Sequence, residues 1–275
     1  MQRKVKFISE GYNTQDGAGV KLTRVLSLRT TKLFDPFLML DAFDSINPKD
    51  YLAGFPMHPH RGIETITYLL EGEIVHQDSL ENNGSITSGS AQWMTAGSGI
   101  LHQEMPKPQN RLLGIQLWLN LSQKEKMTVP KYFDIQKDMI TKVETEFGTV
   151  RIISGNWQDH QGVTPHHLQA TIIDFSLNKN QILNLNTKSK ETTFIFSLLG
   201  DVIIDHKTYR EKTALLFDEG DTISIRALDN QPSRFLFFQA PALKEPIAWG
   251  GPIVMNTNEE LNKAYDDLQR GTFIK

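Results

Sequence analysis

Short segments rich in β-branched and aromatic residues, separated by glycine turns, run through most of this 275-residue chain. Thr65-Ile-Thr-Tyr-Leu-Leu70 is followed by a turn at Glu71-Gly72 and then by a second strand-like segment, Glu73-Ile-Val-His-Gln-Asp78. Many such strands at regular spacing indicate an all-β sandwich or barrel. The length allows one large or two modest domains of this kind.

The second half of the chain repeats the pattern of the first. The segment around Gly72 resembles the segment around Gly200 at an offset of 128, and the segment after Gly89 resembles that after Gly220 at an offset of 131. Such self-matching predicts a duplicated β domain. Residues 122–147 are polar and charged, so we expect an N-terminal domain over residues 1–135 and a C-terminal domain over 136–275.

A helix is predicted only at the end of the chain. Thr257-Asn-Glu-Glu260 is a capping-box pattern that precedes apolar residues at helical spacing, and Gly271 ends it. We expect a helix at about 258–270 that packs against the C-terminal barrel.

Composition excludes several classes of function. The formal net charge is −3 with scattered basic residues, which argues against direct nucleic-acid or anionic-membrane binding. The absence of cysteine excludes disulfides, thiolate metal sites and redox-active thiols. No apolar run has the length of a signal peptide or a membrane span. A cytoplasmic protein is the expectation.

Two pairs of metal-binding side chains are each spaced two residues apart: His58 with His60, and His102 with Glu104. Side chains at i and i+2 of a strand point to the same face. Two such pairs on neighbouring strands can therefore bind one ion through three imidazoles and a carboxylate. This ligand set favours iron, followed by zinc, nickel, copper or manganese.

Glu64 is a second candidate for the carboxylate ligand. It lies four residues after His60, so strand parity places it on the same face, as parity does for Glu104 relative to His102. The residues alone leave this choice open.

The duplication predicts which half holds the metal. An offset of 128 carries His58 and His60 to Asn186 and Lys188, and an offset of 131 carries the other pair to Ser233 and Phe235. These residues replace every proposed ligand, and Lys188 would repel a cation, so only the N-terminal domain is expected to bind metal. The remaining histidines receive no role: His76, His160, His166, His167 and His206.

Four further residues lie close to the two ligand pairs in sequence or in motif. Arg61 is expected either to support the site, to bind a substrate oxygen, or to lie on the surface. Phe55, Met57 and Trp93 either line an apolar cavity or belong to the core, and core is the more frequent outcome.

The two ligand blocks, His58-Pro-His-Arg-Gly62 and Gln92-Trp-Met-Thr-Ala-Gly-Ser-Gly-Ile-Leu-His-Gln-Glu104, closely resemble those of the pirins, which are bicupins. Further blocks extend the resemblance over nearly the whole chain, including Pro36-Phe-Leu-Met-Leu-Asp-Ala-Phe43 and the tail segment Glu245-Pro-Ile-Ala-Trp-Gly-Gly251. Ser98 departs from the family pattern, because many pirins have a basic residue between these glycines. That difference concerns the rim of the site rather than the metal.

The resemblance implies two cupin-type β-barrels in tandem, with one iron in the N-terminal barrel bound by His58, His60, His102 and Glu104. It thus favours Glu104 over Glu64, which becomes a supporting or structural carboxylate. Similar proteins are quercetin 2,3-dioxygenases, which open a flavonol ring with O2 and release carbon monoxide. Others are partners of transcription factors or metabolic enzymes, so a non-catalytic, iron-dependent regulatory protein is the alternative function.

Three histidines and one carboxylate leave positions open on an octahedral ion, which favours a catalytic or sensing site over a structural one. In the dioxygenase hypothesis, Glu104 takes the proton of the flavonol 3-hydroxyl. The regulatory hypothesis requires the same four ligands, so the motif does not separate the two.

Overall fold

The computed structural model describes residues 1–275 and consists mainly of antiparallel strands. The strands of the first half are β1 (Val5–Glu10), β2 (Tyr12–Asp16), β3 (Val20–Leu26), β4 (Phe37–Ser45), β5 (Phe55–His60), β6 (Ile63–Glu71), β7 (Glu73–Asp78), β8 (Asn83–Thr87), β9 (Ala91–Thr95), β10 (Ile100–Pro106), β11 (Leu112–Asn120) and β12 (Lys131–Ile135). The strands of the second half are β13 (Thr141–Thr145), β14 (Gly148–Ser154), β15 (Asn156–Trp157), β16 (His160–Gln161), β17 (Thr171–Leu177), β18 (Ile182–Asn186), β19 (Thr192–Leu199), β20 (Val202–Ile204), β21 (Lys207–Tyr209), β22 (Thr213–Phe217), β23 (Thr222–Ala227), β24 (Ser233–Ala240), β25 (Ala248–Gly250) and β26 (Ile253–Met255). The α-helices are α1 (Thr31–Phe34) and α2 (Asn258–Gln269), and single 3-10 turns lie at Leu28–Thr30 and Pro48–Asp50.

The chain forms two compact units. The first unit contains Asn13–Lys137 and Leu243–Lys275, and the second contains Met1–Tyr12 and Asp138–Ala242. The C-terminal segment thus belongs to the unit formed mainly by the first half of the chain, and the N-terminal segment belongs to the unit formed by the second half. No local sequence pattern indicates this exchange. The unit changes between Lys137 and Asp138, close to the expected boundary at 135. The stretch expected as a crossing contains two strands, β12 and β13.

The barrel of the first unit consists of a seven-stranded sheet, in the order β12-β9-β6-β11-β4-β3-β2, and a four-stranded sheet, in the order β5-β10-β7-β8. The alternating burial of β10 shows one face directed to the interior, as the two-residue period of a strand requires. The central strand β11 is buried at every position. Between the sheets lie two apolar clusters, one around Leu69 and Ile74 and one around Ile63 and Trp118.

The second unit repeats this architecture. Its seven-stranded sheet has the order β1-β22-β19-β24-β17-β14-β13, and its four-stranded sheet has the order β18-β23-β20-β21. A large apolar cluster fills it, with aromatic side chains such as Phe175 and Phe235 from the seven-stranded sheet. The predicted all-β fold with two barrels is confirmed.

The sheet orders correct one part of the predicted correspondence between the halves. Strand β10 has its counterpart in β23, whereas the offset of 131 led to Ser233 and Phe235 on β24, the counterpart of β11. The match was wrong because Gly89 precedes β9, whereas Gly220 precedes the counterpart of β10. Aligning two non-equivalent glycine turns shifted the whole strand.

The positions that correspond to His102 and Glu104 are apolar in the second unit. In the first unit Ile74 pairs with Pro106, and in the second Val202 pairs with Ala227. Counting back from this pair places Ile223 and Ile225 at the positions of His102 and Glu104. Both isoleucines are buried in the apolar cluster. These two residues replace Ser233 and Phe235, to which the offset of 131 had led. Metal binding by the N-terminal domain alone stays a prediction.

Helix α2 begins and ends as predicted. Glu260 N donates to Thr257 Oγ1 at 3.2 Å, and Thr257 N donates to Glu260 Oε2 at 3.1 Å, which is the capping box. Gly271 has a φ of +70° and terminates the helix. No helix in the structure is long and apolar enough to cross a membrane.

The packing of α2 differs from the prediction, because the helix belongs to the first unit. Its apolar face joins a cluster that includes Leu101 on the outward side of β10.

The side chain of Arg61 also contacts this C-terminal segment. Its guanidinium is buried, donates to Asp267 Oδ2 at 2.8 Å and to Phe273 O at 2.9 Å, and lies 4.1 Å from the centroid of the Phe273 ring.

We expect Asp267→Asn to lower the free energy of unfolding at neutral pH by about 2 kcal/mol, because the buried guanidinium of Arg61 loses its counter-ion. The Arg61 guanidinium lowers the pKa of Asp267. A lowered carboxyl pKa stabilises the fold above the pKa of the unfolded chain, and this contribution is lost as the pH falls. Urea unfolding at neutral and acidic pH measures both effects.

The exposed neighbour Asp266 on the same helix provides the matched control, since Asp266→Asn makes the same charge change away from Arg61. Equal stability loss in the two variants, or a gap between Asp267→Asn and wild type that persists at acid pH, would contradict this account of Arg61.

Candidate metal centre

The four-stranded sheet of the first unit places the two histidine-containing strands side by side. In the pairing of β10 with β5, His102 lies opposite His58, and Ile100 lies opposite His60. Residues His102 and Glu104 are both on the buried face of β10, as their spacing of two requires. Three histidines predicted as ligands therefore meet at one end of this strand pair.

The imidazoles of His58, His60 and His102 form one compact group. Their potential ligand nitrogens lie within 4.8 Å of one another. The Nε2 atoms of His58 and His60 are 3.1 Å apart, and the ring centroids of His58 and His102 are 4.3 Å apart. His60 and His102 are buried and His58 is half-buried, so the group opens towards solvent on the side of His58.

Each imidazole has a neighbour for its Nδ1 atom. The Nδ1 of His58 lies 2.8 Å from Pro56 O, the Nδ1 of His60 lies 3.0 Å from Pro252 O, and the Nδ1 of His102 lies 3.5 Å from the Nδ1 of His76. A backbone carbonyl only accepts, so the Nδ1 atoms of His58 and His60 carry the proton and their Nε2 atoms carry lone pairs.

The Nε2 atoms of the three imidazoles lack suitable hydrogen-bond partners within the protein. His102 Nε2 is buried and has no hydrogen-bond partner. His58 and His60 direct two Nε2 lone pairs at each other across 3.1 Å, which is repulsive without a cation or proton. A divalent ion bound by all three satisfies each atom, so the residues present fit a metal.

Burial keeps these imidazoles neutral, which is the protonation state that binds metal. Burial lowers the pKa of His60 to about 3, and it lowers the pKa of His102 well below the ordinary value. Burial also lowers the pKa of His58. No proton competes with the metal at these three residues near neutral pH.

Glu104 is buried beside the group, but its carboxylate is not among the ligand atoms that lie within 4.8 Å of one another. Its Oε1 lies 2.9 Å from Thr67 Oγ1, which also lies 2.6 Å from Gln116 Oε1. A hydroxyl has one proton, so Thr67 donates to only one of them. Burial raises the pKa of Glu104 to about 7. Ligation by Glu104 remains a prediction.

Glu64 lies on β6, in the other sheet, and its Oε1 accepts from Thr95 Oγ1 at 2.8 Å. Thr67, three residues further along this regularly paired strand, contacts Glu104, so Glu64 is on the opposite face. The parity argument from His60 fails because β5 and β6 are separate strands in different sheets, with a turn at Gly62 of φ +79° between them.

The other residues near the motifs have mostly structural roles. Trp93 pairs with Ile66 and is buried on the same side of the sheet as Glu64, away from the histidines. Phe55 packs against the core and its ring meets Phe43 edge to face. Met57 is 51% exposed, and because it directly precedes His58 on β5, its side chain points to the face away from the three imidazoles.

Two aromatic residues that contact the histidines were not predicted. Trp118 of β11 meets the ring of His60 edge to face, with centroids 4.9 Å apart. His76 of β7 lies behind His102 and opposite Glu104 in the strand pairing. The role of His76 could have been inferred from its spacing of two residues from Asp78 on one strand. No local pattern indicated Trp118.

Comparisons with known proteins agree with this architecture. The Pirin family model matches residues 19–119, and the Pirin C-terminal cupin domain model matches residues 172–274. The two barrels are thus cupin domains, as the bicupin prediction requires.

The similarity to individual proteins covers nearly the whole chain. The chain is 39% identical over 275 residues to a pirin-like protein of Caulobacter vibrioides, and the match covers 98% of this chain and 99% of the relative. It is 36% identical to Pirin of Homo sapiens, covering 92% and 88%. A crystal structure of quercetin 2,3-dioxygenase from Acinetobacter baumannii superposes with a TM-score of 0.91 at 32% identity, covering 99% of each chain. The chain belongs to the Pirin family.

Proposed function

We propose that this protein is a metal-dependent quercetin 2,3-dioxygenase that opens a flavonol ring with O2 and releases carbon monoxide. The observation that carries the proposal is the convergence of three neutral imidazoles at a site that opens to solvent beside His58. The similarity over the full length to the quercetin 2,3-dioxygenase of Acinetobacter baumannii supports the choice of substrate.

The metal is held by His58, His60, His102 and Glu104 in this proposal, with one iron per chain as the first choice. Zinc, nickel, copper and manganese fit the same donors. When bound, the metal supplies Lewis acidity and a template that orients the flavonol and O2.

The protein residues supply an approach path and a fixed geometry. His60 and His102 are buried, whereas His58 is half-buried, so in this proposal the flavonol enters from the side of His58. The edge-to-face contact of Trp118 with His60 and the hydrogen bonds to the Nδ1 atoms keep the imidazoles from rotating.

Glu104 takes the proton of the flavonol 3-hydroxyl. Thr67 lies 2.9 Å from Oε1, so Oε2 of the buried carboxylate would be the metal-binding oxygen and would take the proton on leaving the metal. Removal of the proton increases the electron density of the ring that reacts with O2. The flavonol then takes up both oxygen atoms, two ring carbon–carbon bonds break, and the carbon between them leaves as carbon monoxide.

We expect the iron-loaded protein to consume quercetin under air and His102→Ala to do so at least 100-fold more slowly, because that variant lacks a buried ligand. Loading is done without oxygen, and quercetin loss is followed by absorbance against a protein-free control. Absence of turnover in wild type with iron bound would contradict the dioxygenase and favour the regulatory, metal-dependent binding protein.

A further inference from the structure

His76 is a buried histidine that the proposed reaction does not use. It lies on β7, beside β10, and its ring is covered by Tyr132 at a centroid distance of 4.6 Å. Its Nδ1 lies 3.5 Å from the Nδ1 of His102, and its Nε2 lies 3.1 Å from Asp78 Oδ2. It thus connects a buried carboxylate to one of the three histidines of the metal centre.

The carboxylate of Asp78 is fixed by the turn that follows β7. Its Oδ1 accepts from Leu80 N at 2.8 Å and from Asn82 N at 3.1 Å. Because backbone N–H groups only donate, the atom at the Oδ1 position has to be an acceptor. The other oxygen, Oδ2, faces His76 and also accepts from Asn82 Nδ2 at 3.0 Å.

The positions of these atoms determine the direction of each hydrogen bond. The carboxylate of Asp78 accepts from Nε2–H of His76, so the Nδ1 of His76 carries a lone pair. That lone pair accepts from Nδ1–H of His102, which leaves the lone pair of His102 on Nε2. This is the buried atom without a hydrogen-bond partner in the metal centre.

We propose that Asp78 and His76 are positioning residues that hold His102 in the tautomer able to bind the metal. The inference rests on the metal centre of the proposed function and adds two residues to it. His58 and His60 obtain the same tautomer from the carbonyls of Pro56 and Pro252, which no substitution of a side chain removes. His102 alone depends on side chains, so its tautomer can be reversed by mutation.

Asp78→Asn is the substitution that should reverse the tautomer of His102. The amide oxygen remains at the Oδ1 position, where Leu80 N and Asn82 N donate, so the amide NH2 faces His76 and the side chain of Asn82. The exchangeable side-chain amide of Asn82 then turns its oxygen towards this NH2 group, whereas the two backbone donors cannot turn. His76 then accepts at Nε2 and donates from Nδ1, and His102 is driven to carry its proton on Nε2. We expect the affinity for Fe2+ to fall by about 10- to 100-fold, the range found when residues supporting metal-binding histidines are altered.

His76→Phe keeps a ring over Tyr132 but lets His102 adopt either tautomer. We expect a smaller loss of affinity, about 3-fold, because a free choice between two tautomers costs little more than RT ln 2 plus the lost orientation. In the double variant the reversed donor at residue 78 no longer reaches His102. Adding His76→Phe to Asp78→Asn should therefore restore part of the affinity for Fe2+. If the two substitutions merely damaged the structure independently, their losses of affinity would add in the double variant.

The test measures Fe2+ affinity of the full chain by anaerobic competition with a chromogenic chelator, for wild type, both single variants and the double variant. Tyr132→Phe is the matched control: it keeps the ring against His76 and loses only the hydroxyl, which donates to Asp134 at 2.6 Å. We expect it to bind as wild type does. Thermal unfolding followed by circular dichroism verifies that each variant is folded.

A second measurement does not depend on metal. In the 15N-histidine NMR spectrum of the metal-free protein, His102 should carry its proton on Nδ1 in wild type and on Nε2 in Asp78→Asn. The proposal is overturned if both single variants bind Fe2+ as wild type does, if the double variant binds more weakly than Asp78→Asn, or if the tautomer of His102 is unchanged. Absence of Fe2+ binding by wild type would instead refute the metal centre itself.

Discussion

His102→Ala should lower the affinity of the protein for Fe2+ by about 100- to 1000-fold. The estimate follows because metal binding by four ligands releases roughly 10–16 kcal/mol in structural zinc sites, and one ligand accounts for about a quarter of that. His102 is also the most enclosed of the three histidines, so solvent cannot easily replace it. Metal content after gel filtration and chelator competition measures the loss.

The control for this substitution is His166→Ala, which removes an exposed histidine from the second unit. We expect it to retain one metal per chain. Full occupancy in His102→Ala would show that the three imidazoles are not the ligands, whatever the activity of the protein.

Glu104→Ala should weaken metal binding by about 10- to 100-fold, whereas Glu64→Gln should stay within about 3-fold of wild type. The two buried carboxylates are distinguished by the face of the barrel to which each points. Glu104 lies on the interior face of β10 beside His102, whereas Glu64 points to the other face of β6 and accepts from Thr95. The glutamine retains an oxygen for that contact.

Both variants are measured by the same chelator competition, with thermal unfolding to verify the fold. Strong binding in Glu104→Ala together with loss of metal in Glu64→Gln would mean that the carboxylate ligand had been assigned to the wrong strand.

Much of the fold and of the site could be predicted from the sequence because strand periodicity is local. The spacing of two residues correctly placed His102 and Glu104 on one buried face of β10, and the capping box correctly placed the start of α2. Repeated glycine turns indicated the duplicated barrel. The same turns misled the assignment of Ser233 and Phe235, because one glycine turn resembles another and a strand can be skipped.

The parts that could not be predicted depend on contacts between residues distant in sequence. Arg61 directly follows His60, one of the proposed ligands, yet its guanidinium binds Asp267, more than 200 residues later. His60 itself is oriented by Pro252 O. Parity also failed for Glu64, since counting along the chain assumes one continuous strand and the turn at Gly62 ends it.

The most direct test of the central claim is the stoichiometry of the reaction with the iron-loaded protein in a sealed vessel. Quercetin loss, O2 uptake and carbon monoxide release are measured together, with His102→Ala under the same conditions. The account predicts one O2 consumed and one carbon monoxide released per quercetin in wild type, and neither in His102→Ala. Quercetin loss without carbon monoxide, or equal carbon monoxide release by the two proteins, would contradict it.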